Sequence, residues 1–182
     1  MNPFTDIWIP KKIIAIGASI TGALPFDYYR DNVVNAGISS ETSDNMVART
    51  DALLAANPTA VALLMIDNGT NDLMLLNSFN VGSVLSMSFK AIAAGMLPLI
   101  CQIPPISHAS YPTDNDDVRV WNANLVSAAA SNNLFPPIDL FTPLCLPSGA
   151  INHKYFIDGC HPNKDGRDVI IATIRAALNV LL

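Results

Sequence analysis

Short apolar runs that end on glycine or a polar residue alternate along this chain with amphipathic stretches of helical period. Lys12 to Ile16 (KIIAI) is a β-branched run closed by Gly17, and Val33 to Ala36 ends the same way at Gly37, so both are predicted as buried strands. From Thr42 or Ser43, either of which suits a helix N-cap, Met46, Val47, Leu53 and Leu54 keep to one face until Asn57-Pro58 stops the pattern. Ala60 to Ile66 (AVALLMI) is apolar throughout, as a strand covered on both faces requires, and gives way to Asp67-Asn68. Val81, Val84, Leu85, Phe89 and Ile92 are spaced for a helix ending near Gly95, and Leu97 to Ile103 predicts another strand before Pro104-Pro105. Val118, Trp121, Leu125 and Ala129 mark a third amphipathic helix. Phe135 to Ile138 predicts a short fifth strand whose two prolines suit a sheet edge. Ile170, Ile174, Leu178 and Leu181 mark a last helix.

Strand and helix in alternation, with strands buried on both faces, imply a parallel sheet between two helix layers and a ligand site at the carboxyl ends of the strands. The 182 residues are 51% hydrophobic and 14% charged, which excludes a disordered or fibrous chain and predicts a single domain over residues 1–182. A formal charge of −5 without a basic stripe argues against nucleic acid as a partner. No run approaches the ~20 apolar residues of a membrane span, and the start (MNPFTDIWIPKK) lacks the order of a secretory signal. These features predict a soluble protein whose compartment stays open: cytoplasmic by default, or an excised or virion-associated domain. Cys101, Cys145 and Cys160 are odd in number and form no C-x-x-C pair, against a disulfide framework or a zinc ribbon, although a single Cys145–Cys160 bridge remains open.

Candidate chemistry falls where the strands should end. Gly17-Ala18-Ser19 follows the first strand, Gly37 the second and Gly69-Thr70-Asn71-Asp72 the third, while Asp158-Gly159-Cys160-His161-Pro162 precedes the last helix. A serine hydroxyl needs a base within about 2.6–3.2 Å, and that base needs a third group to set its tautomer. Asp158, three residues before His161 on a turn, can reach Nδ1 and leave Nε2 facing a serine from another loop. In order and spacing the four blocks resemble those of the SGNH hydrolases, or GDSL esterase/lipase family, from Ile13 to about Gly166. Gln102-Ile103-Pro104-Pro105 and Trp121-Asn122-Ala123-Asn124 echo the same family.

The resemblance implies a three-layer α/β/α sandwich with a parallel, flavodoxin-like five-stranded sheet. It implies Ser19 as nucleophile, His161 as general base and acid, and Asp158 as the orienting carboxylate. The Ser19 backbone N–H, the Gly37 backbone N–H and the Asn71 side-chain amide would form the oxyanion hole. The expected function is cleavage of a carboxylic ester, preferentially a short acyl or acetyl ester on a small molecule or carbohydrate, with no metal or organic cofactor. A thioesterase or lysophospholipase is an enzymatic variant. The other class is a hydrolase-like carbohydrate-binding or structural module, kept open by Ala18, which stands where the family has aspartate.

Competing motifs fail on residue identity. Gly17 and Gly22 have P-loop spacing, but Ala23 and Leu24 replace its lysine and hydroxyl residue, and Thr21 breaks a G-x-S-x-G elbow. Cys145, His153, Asp158, Cys160 and His161 match no common zinc spacing, so Cys160 reads as a small residue beneath the His161 loop. Phe26, Tyr28, Tyr29 and the segment from His108 to Asp117 are candidates to rim the pocket, with the alternative that Phe26 and one tyrosine pack against the sheet, and Asp44, Asp114, Asp116 and Asp117 read as solvated surface charge.

Overall fold

A computed structural model describes residues 11–26, 32–78, 80–108 and 114–182 of the chain. Four of the predicted strands form, β1 (Ile13–Gly17), β2 (Val33–Gly37), β3 (Ala62–Met65) and β4 (Leu97–Ile100), all paired in parallel in the order β2-β1-β3-β4. The chain steps outward from β1 to β2 and then returns to lay β3 on the other side of β1. The loops after β1 and β3 therefore diverge at a topological switch point, which leaves a crevice at their carboxyl ends.

β1 and β3 are buried at every residue, which their unbroken apolar sequences require, whereas edge strand β2 is only partly covered. The sheet lies between two layers drawn from α1 (Ser19–Ala23), α2 (Ser43–Ala55), α3 (Thr70–Leu76), α4 (Gly82–Ala93), α5 (Asn115–Ser131) and α6 (Lys164–Leu181). Alternation along β1 feeds both layers. Ile14 and Ile16 pack with Met46 of α2, Leu73 of α3, Met87 of α4 and Trp121 of α5, while Ile13 and Ala15 pack with Ile20 of α1 and Ile170 and Ile174 of α6. Trp121 is wholly buried, a position where truncation to alanine typically costs about 3–5 kcal/mol.

Two expectations are corrected and one open question is closed. Phe135 to Ile138 does not form a fifth strand; only Ile138 joins the sheet, through one parallel bridge to Cys101 beside β4. Pro136 and Pro137 have no N–H to donate, so the ladder cannot extend backward from Ile138. Cys145 and Cys160 are both free, so no bridge joins them. Asp114 and Asp117 are not simply solvated: Asp114 caps α5 by accepting from the Asp116 and Asp117 N–H groups, and Asp117 returns a bond to the Asp114 N–H. Such caps contribute about 1 kcal/mol. Among the described residues no helix is long and apolar enough to cross a membrane.

Candidate active site

Ser19 opens α1 directly after β1, and its Oγ lies 3.1 Å from His161 Nε2 although 142 residues separate them. The imidazole comes from the loop before α6, and its Nδ1 lies 2.8 Å from Asp158 Oδ2. With Nδ1–H donating to that carboxylate, Nε2 is left to accept from the serine hydroxyl. The other oxygen, Asp158 Oδ1, accepts the backbone N–H groups of Cys160 at 3.0 Å and His161 at 2.8 Å. One carboxylate thus shapes the turn and orients the ring it carries.

Gly159 makes that turn possible. Its φ is +82°, and a Cβ there would stand 2.1 Å from the Ser107 carbonyl oxygen, while its own carbonyl accepts the Ser107 N–H at 2.8 Å. Beneath the loop, Cys160 is buried with Sγ 3.7 Å from Met74 Sδ, and burial pushes its thiol up to about 12. Burial also works against ionisation of Asp158, but the His161 N–H, the His161 ring and the Cys160 N–H outweigh it and lower the carboxyl to about 2. The side chains of His161 and Asp158 remain 44% and 38% exposed, so the line of hydrogen bonds opens onto solvent.

The opposite wall is the end of β3 and the start of α3. Asn71 Nδ2 donates to the Glu41 carbonyl at 2.8 Å, which orients the amide and leaves its second N–H. Glu41 is itself clamped by Arg49, whose Nε meets both carboxylate oxygens at 2.9 Å and whose Nη2 also reaches the Ala36 carbonyl at 2.7 Å. Asp72 ties α3 to α2 by accepting the Ser43 N–H at 2.9 Å and the Ser43 hydroxyl at 2.5 Å, and burial raises its carboxyl above the ordinary value. Asp67 accepts the Ile20 N–H at 3.1 Å, one residue beyond Ser19.

The Gly37 N–H already has an acceptor in this structure. It donates to Asn35 Oδ1 at 3.0 Å, while Asn35 Nδ2 donates to the Thr21 carbonyl at 3.0 Å. A Cβ at Gly37 would lie 2.2 Å from the Gly22 nitrogen, so this glycine serves the close packing of β2 on α1. Phe26 is buried with Ile20 and Leu24 and is no rim residue. Tyr28 and Tyr29, and residues 109–113 of the proposed rim, lie outside the described residues. Among the described residues no three His, Cys, Asp or Glu side chains are grouped to hold a metal ion.

The sequence reading missed Asn35, Glu41, Arg49 and the contact made by Asp67. Asn35 is a polar residue within an otherwise apolar strand, VVNAG, and that was its signal. The Arg49–Glu41 clamp spans eight residues across a turn and a helix start, a spacing without a periodic signature.

A hydroxyl, an imidazole and a carboxylate thus stand in hydrogen-bonded series at the carboxyl end of a parallel sheet between helix layers, an order in which a ring nitrogen can take a proton from the hydroxyl. The chain belongs to the GDSL-like Lipase/Acylhydrolase family, whose sequence profile matches residues 17–169. Its fold is similar to that of a GDSL-like lipase from Bacteroides thetaiotaomicron (TM-score 0.79, 23% identity, 95% of this chain and 90% of that one). It is similar also to a lipase/acylhydrolase from Enterococcus faecalis (0.71, 19%, 90% and 93%) and to a psychrotrophic esterase from Pseudoalteromonas sp. (0.63, 21%, 93% and 100%). Among curated proteins none matches the chain significantly by sequence.

Proposed function

We propose that the protein is a serine esterase that cleaves a carboxylic ester through an acyl-enzyme. The observation that carries this reading is the unbroken Asp158–His161–Ser19 line, with steps of 2.8 and 3.1 Å. Ser19 Oγ attacks the acyl carbon while its proton passes to His161 Nε2, and the imidazolium is stabilised by ionised Asp158. The tetrahedral oxyanion is met by the Ser19 backbone N–H and the second N–H of Asn71, each worth about 3–4 kcal/mol of barrier in a preorganised site. Collapse breaks the ester C–O bond, and the proton on Nε2 goes to the departing alkoxide. Water, deprotonated by the same nitrogen, then attacks the acyl-enzyme and releases the acid with regeneration of Ser19. The chemistry needs neither metal nor organic cofactor. An imidazole this exposed suits a small acyl group, such as acetyl, carried on a larger alcohol such as a carbohydrate.

Turnover of p-nitrophenyl acetate by wild type and Ser19→Ala tests this. The variant is expected to lose about 10³-fold or more in kcat. Equal rates would assign the fold a binding or structural role instead.

A further inference from the structure

The first turn of α1 carries Ser19, and the residue before it supplies a carbonyl to the Gly22 N–H but no side-chain cap. Ala18 is the N-cap, makes no side-chain cap and has its methyl buried in the core. The acceptor arrives from another strand. Asp67 Oδ2 takes the Ile20 N–H at 3.1 Å across 47 residues, and next to it the Ile66 carbonyl takes the Thr21 hydroxyl at 2.9 Å. Asp67 adopts a left-handed φ of 56°, a region aspartate enters more readily than most residues, and its side chain is enclosed, with the residue 1% exposed. Its carboxylate and the Thr70 hydroxyl are both buried, and Thr70 is among the groups that favour the ionised form of Asp67. A carboxyl group buried this completely is a cost that packing alone does not explain.

We propose that Asp67 is the positioning residue of the nucleophile: its carboxylate, reaching over from the end of β3, holds the Ile20 N–H and so fixes the turn that aims Ser19 Oγ at His161. The kinetic consequence rests on the esterase reading; the contact itself does not. The groups facing Asp67 are the Ile20 N–H of α1, Thr70 and Asp72 of α3, and His161 and Cys160 of the loop before α6. Burial raises the Asp67 carboxyl to about 6, opposed by Thr70, the Ile20 N–H and His161 and assisted by Asp72. The clamp is accordingly strongest when the carboxyl is ionised, because a charged acceptor binds an N–H more tightly than a neutral one.

The test compares wild type with Asp67→Asn, which keeps the shape and a neutral acceptor, between about pH 5 and 8. At the alkaline end wild-type kcat is expected to exceed that of Asp67→Asn by about tenfold, with KM within about twofold, and Asp67→Ala to fall by about 10–100-fold. The wild-type to Asn ratio is expected to narrow toward one as pH falls through about 6, since protonated Asp67 and asparagine are then alike. A ratio independent of pH, or equal rates throughout, would overturn the proposal. The Ile20 amide resonance of the resting protein supplies a readout without turnover: it should titrate with Asp67 in wild type and lose that transition in Asp67→Asn. If wild type shows no Ser19-dependent hydrolysis, the esterase reading fails and the Ile20 titration alone decides on the clamp; a flat Ile20 shift in wild type overturns it.

Discussion

Two aspartates approach His161 from opposite walls of the cleft, and they are built in opposite ways. Asp158 sits on a half-exposed turn and draws its donors from residues 160 and 161, so a short stretch of chain holds it ionised down to about 2. Asp67 is enclosed at the end of β3, takes its backbone donor from a distant helix, and is raised by burial to about 6. The difference separates permanent charge from titratable charge. The carboxylate beside Nδ1 must be negative whenever the imidazole takes a proton, and local hydrogen bonds secure that without burial. The carboxyl behind the nucleophile gains order from burial and accepts sensitivity to pH in return.

The largest effect expected from the β3 wall falls on its exposed end. Asn71→Ala should lower kcat by about 10²–10³ with little change in Tm, because in the proposed mechanism its second N–H meets the oxyanion, while α3 is tied down separately by Asp72 and Ser43. An unchanged kcat would remove this wall from the oxyanion hole and leave catalysis to the His161 side.

Smaller effects, of opposite sign, are expected in stability. Asp158 has its folded pKa depressed, so its contribution is complete above about pH 4 and is lost as pH falls toward 2. Asp67 has its folded pKa raised, so its contribution is complete below about pH 4 and is lost as pH rises through about 6. Melting temperature followed against pH should show Asp158→Asn flattening the acid branch alone and Asp67→Asn flattening the branch between about 4 and 6 alone. The same branch flattened by both variants would mean that the two walls titrate as one unit.

The contrast between the walls also marks what the sequence made legible. The His161 wall is local: Asp158, Gly159 and His161 stand within four positions, and the turn follows from their spacing. The β/α alternation was equally readable because β1 and β3 are buried on both faces and lack polar interruptions. α3 escaped prediction because Leu73 to Leu76 is a continuous apolar run without helical period, started by Gly69 and ended by left-handed Asn77. The Asn35–Gly37 contact was not legible because a backbone N–H carries no sequence signal of its own partner, and here Asn35, two residues back, accepts it. Asp67 read as a polar extension of the strand end, since neither its positive φ nor its acceptor role for Ile20 exists before β1 and β3 are paired.

The most direct test of the account is the site of reaction with a fluorophosphonate, which transfers its phosphonyl group to an activated serine oxygen with loss of fluoride. The account predicts one adduct, on the peptide bearing Ser19, absent from Ser19→Ala and formed far more slowly in His161→Gln. An adduct on another residue, or labelling of Ser19 at an undiminished rate without the imidazole, would contradict it.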